Sequence, residues 1–282
     1  MIGSRVVGGR YLLLDELDRR GFGPAHRAED RITGRTVVVT EIRLPAGGGT
    51  GDGLRERLLA EVRAAGRLRH PGLVGVQDLI TDRGPDGRLR EHLVTELPEA
   101  GTLARALDDG PLPGRRVAAI GRDVLVALRA VHADGGTHGG LDPDCVLLAP
   151  DGRALLTDLG LARAVGARPA GTGGGPDAFT APERRGPAGD TPAADLWSLG
   201  ALLHHAVGRA APEGGPLDAA ITGLTAADPA GRIGPDEAEN LLARAAGPRP
   251  AGGDLGRNRW ILLAVAALLA VAVVALVILT VL

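Results

Sequence analysis

Residues 138–160 read HGGLDPDCVLLAPDGRALLTDLG. Near the middle stands Pro150-Asp151-Gly152, where proline presets φ, aspartate bonds its own backbone and glycine supplies the left-handed turn position. Apolar runs on both sides make the segment a hairpin. Before and after the hairpin come side chains able to move protons or hold cations, namely His138, Asp142, Cys145 and Asp158, interrupted by two glycines, Gly139 and Gly140.

Outward from this stretch the pattern changes character. A second Pro-Asp-Gly turn at Pro85 also separates apolar runs, and Arg35–Leu44 is β-branched and unbroken, so the first hundred residues read as strands. One helix is expected among them, since Leu54, Leu58, Val62, Ala65 and Leu68 recur at helical spacing. After residue 110 helices dominate; Val117, Ile120, Val124, Leu128 and Val131 mark one of them. A strand-rich part followed by a helical part is an α+β layout. The glycines at 171–175 predict a loop.

Composition narrows the partners. The 282 residues carry a formal net charge of -2, which offers no basic field to attract nucleic acid. All 32 basic residues are arginine; there is no lysine. Abundant Ala, Gly, Arg and Pro point to a high-GC bacterial genome. Cys145 is the one cysteine, which excludes an intrachain disulfide and suits a reducing compartment. The polar stretch Met1–Asp18 does not read as a signal peptide.

Trp260–Leu282 is 23 residues without a charge, long enough as a helix to span roughly 35 Å, and apolar on every face. It is expected to cross a membrane once. Arg257 and Arg259 lie just before it with Trp260 at the interface, which places the preceding residues in the cytoplasm. The expected organisation is therefore a strand-rich lobe over 1–96, a helical lobe over 97–245, a juxtamembrane linker over 246–259 and a transmembrane helix over 260–282.

The order of these pieces resembles the protein kinase family, in particular bacterial Ser/Thr kinases, over nearly all of residues 10–245. Glu16–Asp30, ELDRRGFGPAHRAED, is similar to the glycine-rich loop, and VVVTEI at 37–42 to the strand that carries the family's lysine. Glu61 matches the glutamate of the family's first long helix and Leu93–Leu97 the strand into the hinge. HGGLDPDCVLL from His138 stands for the catalytic loop, Asp158-Leu159-Gly160 for the magnesium motif and Ala181-Pro182-Glu183 for the end of the activation segment. Asp195 to Gly200 and then Asp228, Pro229 and Arg232 complete the series. These motifs in family order make a specific signal where any one is weak. A bilobal kinase-like fold is the expectation.

The resemblance also implies roles. Nucleotide-contacting places fall on Arg20, Gly21, Gly23, Val38, Glu96 and Leu147, and a metal ligand on Asp158. Structural roles fall on Glu61, His138, Glu183, Asp195 and Arg232: Glu183 is expected to pair with Arg232, and Asp195 to bond the backbone around His138. Glu61, with no lysine to meet, is expected to be solvated or paired with an arginine. Chemistry fares differently. The strand lysine is Thr40, the catalytic aspartate is Gly140, the phosphate-facing lysine is Asp142 and the second-metal asparagine is Cys145, which is expected exposed at the mouth of the loop. Pro176 takes the place of the activation-segment threonine. Phosphoryl transfer works mainly by positioning and charge, so these replacements imply a pseudokinase that requires no cofactor. Its partners are then proteins, an active kinase or a phosphothreonine reader of Thr172, at the membrane. The alternative is a divergent Ser/Thr kinase that holds ATP and magnesium through Asp158 and Arg20, with Asp142 as displaced base.

Overall fold

The computed structural model describes residues 5–20, 23–42, 51–84, 86–165, 178–185, 189–208 and 214–248. The chain divides into two units, residues 1–247 and 248–282, and every helix and strand described lies in the first. The expected membrane span falls outside the described residues. Among those described, no helix is long and apolar enough to cross a membrane. Gly21, Thr172 and Pro176 also lie outside them.

Strands β1 (Val6–Val7), β2 (Tyr11–Arg20), β3 (Gly23–Asp30), β4 (Thr36–Ile42), β5 (Val76–Arg83) and β6 (Leu89–Glu96) form one antiparallel sheet in the order β1-β2-β3-β4-β6-β5, with helix α1 (Gly51–Arg67) between β4 and β5 in sequence. Successive side chains of a strand point to opposite faces. On one face Val37 and Val39 of β4 pack with Tyr11, Leu13, Ala28 and Val94. On the other, Ile42 packs with Leu93 and with Leu58 of α1. Val38 and Thr40 share that second face by alternation, and both are buried.

The sheet curls until its two edges meet. The Gly8 N–H donates to Asp82 Oδ2 at 3.2 Å, and the Tyr11 hydroxyl donates to Asp78 Oδ2 at 3.1 Å. Arg10 reaches Asp78 while holding Asp30 through two bonds of 2.8 Å. Gly8 is required at this seam: its φ is +57°, and a Cβ there would press on the Ile80 side chain.

The helical part begins with β7 (Gly101–Thr102) and α2 (Leu103–Leu107), capped by the Thr102 hydroxyl, which accepts from Arg105 N. Helix α3 (Gly114–Ala133) buries the predicted Val117, Ile120, Val124, Leu128 and Val131. Strands β8 (Val146–Leu148) and β9 (Ala154–Leu156) form the predicted hairpin and join β7 in the order β7-β8-β9. A short helix α4 (Leu161–Val165) follows, then α5 (Pro192–Val207), α6 (Pro216–Leu224) and α7 (Pro235–Ala246). Helix α5 is apolar nearly all round, and such a helix belongs in a core. It buries Leu199, Leu202, Leu203 and Val207 in the core that it shares with α3 and α6. The loop before β5 ties the two parts together, since Val74 N donates to Leu156 O at 2.8 Å and Leu156 N to Gly72 O at 2.9 Å.

Candidate functional site

The first turn of α5 builds the centre of the site. Thr191 caps the helix, its hydroxyl accepting from Ala194 N at 3.1 Å, and Pro192 suits a first-turn position that needs no N–H. This start points Asp195 inward at 3% exposure. Its carboxylate accepts from His138 N at 2.8 Å, from Gly139 N at 2.9 Å and from His132 Nε2 at 2.9 Å. The expected link from Asp195 to the loop backbone is present, and His132 of α3 joins it. Burial pushes the Asp195 carboxyl up, but the bond from His132, the nearby His138 ring and the two backbone N–H groups more than offset it, so the group is held below its ordinary value.

His138 is itself 1% exposed. Its Nδ1 accepts from Gly140 N at 3.3 Å while Nε2 donates to Thr157 O at 3.1 Å, the pattern of a neutral ring. Burial pushes its pKa below the ordinary 6.5 against the raising influence of Asp195. His92, at 2% exposure with Nδ1 unpartnered, is lowered by burial and by Arg5. The folded pKa of each lies below that of the unfolded chain, so on acidification the unfolded chain takes up protons first, and stability is lost as the pH falls below about 6.5. Each histidine contributes at most about 1.4 kcal/mol per pH unit. The urea midpoint is therefore expected to drop between pH 7 and pH 5. A flat midpoint over that range contradicts neutral burial.

The next residues are fixed by side chains from other elements. Gly139 has φ +72°, a conformation that favours glycine, and its carbonyl accepts from Arg184 Nη2 at 2.7 Å. Arg184, which also pairs with Asp190, was not singled out in the sequence. Asp142 caps the 3-10 turn Pro143–Cys145, its Oδ1 accepting from Asp144 N at 2.9 Å and Cys145 N at 3.1 Å. Cys145 corrects the expectation of an exposed thiol: it is 3% exposed. The turn folds it inward, and Sγ meets Asp142 O at 3.1 Å and Gly140 O at 3.6 Å.

Asp158 closes the site from the β9 side. It is the one residue other than glycine with positive φ, +62°, among the described residues, a strained conformation of the kind kept at functional sites. Gly160 follows with φ +73°, and the Glu61 carboxylate of α1 lies where a Cβ of Gly160 would stand. Glu61 is thus half-buried against this turn. Thr40 lies opposite Leu93 in the β4–β6 pairing and Val38 opposite Thr95. Glu96 is exposed, its carboxylate lying where a Cβ of Gly75 would stand, and Leu147 is buried. Arg20 pairs with Gly23 where β2 turns into β3. A small cavity between α1, the sheet and the Asp158 turn is lined by Val62, Leu73, Val76, Leu93, Thr95 and Asp158 among others. Among the described residues no three His, Cys, Asp or Glu side chains converge on a metal position.

Arg232, with its side chain 1% exposed, meets Glu183 of the turn Pro182–Arg185 at 2.8 Å and 3.3 Å, the expected pair. It also donates to Ala193 O at 2.6 Å and Ala226 O at 3.0 Å. Phe179 packs edge-on against His205 with centroids 5.4 Å apart, and the Ser198 hydroxyl donates to its carbonyl at 2.7 Å.

A curled sheet with one helix, a helical part behind it and a loop held from the first turn of a buried helix define a protein kinase domain. The sequence model for that family, described as Protein kinase domain, matches residues 13–219, and the chain belongs to this family. It is similar to the serine/threonine-protein kinase PknL of Mycobacterium tuberculosis, 34% identical over 205 residues that cover 71% of this chain and 50% of PknL. It is also similar to PknK of the same species, 38% identical over 218 residues covering 75% of this chain and 19% of PknK. For PknD the identity is 33% over 217 residues, covering 75% of this chain and 31% of PknD. The chain thus spans half the length of PknL and less of the other two.

Proposed function

We propose that the protein is a membrane-anchored pseudokinase, a Ser/Thr kinase relative that serves as signalling scaffold or allosteric partner of an active kinase. The observation that carries this reading is at position 140. Glycine stands there with its N–H turned onto His138, so no side chain can take the proton of an acceptor hydroxyl, a step worth typically about 10²- to 10⁴-fold. The surrounding donor set fits a magnesium nucleotide poorly. Thr40 brings a hydroxyl where a cation would meet phosphate, the Cys145 sulfur is turned onto loop oxygens, and Asp142 is engaged as a cap. The uncharged stretch Trp260–Leu282 supports the anchor, with residues 1–259 in the cytoplasm.

A second reading, a divergent kinase that uses Asp142 and Arg20, draws on the strained φ of Asp158, which is worth keeping if a cation binds there. One experiment separates the two. The full chain is incubated with radiolabelled ATP and magnesium or manganese, beside the Asp158→Ala variant, and melted with and without about 1 mM nucleotide. With a Kd weaker than that concentration, linkage allows at most about 0.4 kcal/mol, or on the order of 1–2 °C. The pseudokinase reading expects that small shift and no label above the variant. A rise of several degrees together with labelling that Asp158→Ala abolishes makes the divergent enzyme the right answer.

A further inference from the structure

We propose that Arg184 is a latch which, by holding one peptide plane, ties the His138 ring to the turn Pro182–Arg185. Its Nη2 donates to Gly139 O at 2.7 Å, and its guanidinium pairs with Asp190, both side chains being 14% exposed. Asp190 stands directly before Thr191, the cap of α5, so the guanidinium is aimed from the same helix start that presents Asp195. The carbonyl of Gly139 and the N–H of Gly140 belong to one planar unit and point in opposite directions. Holding that oxygen therefore aims the Gly140 N–H, which meets His138 Nδ1 at 3.3 Å. Nδ1 then stays an acceptor, and the proton stays on Nε2, bonded to Thr157 O at 3.1 Å. With glycine at both 139 and 140 no Cβ resists rotation of this plane, since glycine accepts φ of either sign. The hold from Arg184 is what fixes it.

The other end of the latch is open to partners. Arg184 lies in a turn that its own N–H closes onto Ala181 O at 3.0 Å; its neighbour Glu183 is fastened to Arg232, and Pro182 is exposed. A protein that docks on Pro182 and shifts the turn draws Arg184 off Gly139 O, and the plane and the ring respond. Coupling between sites needs such a chain of bonds with two discrete arrangements, here the plane held and the plane turned. The inference deepens the reading of the protein as an allosteric partner and rests on it for its purpose, not for its geometry.

Nitrogen NMR of the full chain, labelled at histidine and glycine, tests it in wild type and variants. We expect Arg184→Ala to move the His138 Nδ1 resonance off its hydrogen-bonded position and to speed Gly140 amide exchange about tenfold or more, while Gly200 inside α5 stays protected. Arg184→Lys should restore most of both. Glu183→Gln, which loosens the turn at its other anchor, should speed Gly140 exchange about threefold when Arg184 is present and not when it is alanine. Should Gly200 exchange rise in step in Arg184→Ala, the chain has opened globally, and the milder Asp190→Asn is read by the same criterion. An unmoved Nδ1 resonance in the variant that keeps Gly200 protected overturns the latch, as does an equal response to Glu183→Gln with and without Arg184. Incubation with radiolabelled ATP reads the pseudokinase assignment separately. Labelling that Asp158→Ala abolishes removes that purpose and leaves the latch standing.

Discussion

Asp195→Ala is expected to lose about 3–5 kcal/mol of unfolding free energy in urea, a large share of what a domain possesses. The carboxylate is the common acceptor for two backbone N–H groups and one imidazole, and all three stay buried or half-buried when it goes. Each stranded donor costs about 1–3 kcal/mol, and the sum is capped because the loop can relax toward water. Asp195→Asn gives the calibration. An amide keeps one acceptor oxygen but sets an NH2 group against an N–H, so roughly half the loss is expected. A cost below about 1 kcal/mol for the alanine variant means that the loop stands without α5.

Arg232→Ala is the second large effect, about 3–4 kcal/mol. It leaves Glu183 charged and half-buried and strips Ala193 O and Ala226 O of their donor. The bond from Arg232 is the main reason that the Glu183 carboxyl sits below its ordinary value, ahead of the opposing effect of burial. The double variant Arg232→Met with Glu183→Gln should recover about half of the loss, because it removes both charges together. A coupling of about 1.5 kcal/mol or more in the double-mutant cycle is the expected reading, and additivity contradicts the brace.

These two braces were legible before any coordinates, through the family resemblance, as were the helix at α3 and the two hairpins, through periodicity and turn chemistry. Other parts were not. Arg184 is one arginine among 32 basic residues, and nothing in Pro182-Glu183-Arg184-Arg185 tells which guanidinium turns toward Gly139. Helix α4 has five residues, too few for a helical period to emerge. Asp142 before Pro143 does carry a readable signal, the pairing of a capping aspartate with proline at the first helical position, which points to a cap and not to a catalytic role. The burial of Cys145 has the related cause that the same 3-10 turn rotates its sulfur inward. The left-handed Asp158 has no sequence mark, because aspartate is tolerated there without being demanded.

The seam at Gly8 has a bearing on how copies of this protein behave in a crowd. Bonds from Gly8 N to Asp82 Oδ2 and from the Arg5 guanidinium to the Arg83 carbonyl cover the end of β5, the longer outer strand, and another chain that adds its own strand there must first displace them. A side chain at position 8 would pry that seam apart. Its first symptom need not be a lower melting temperature but insolubility that grows with concentration.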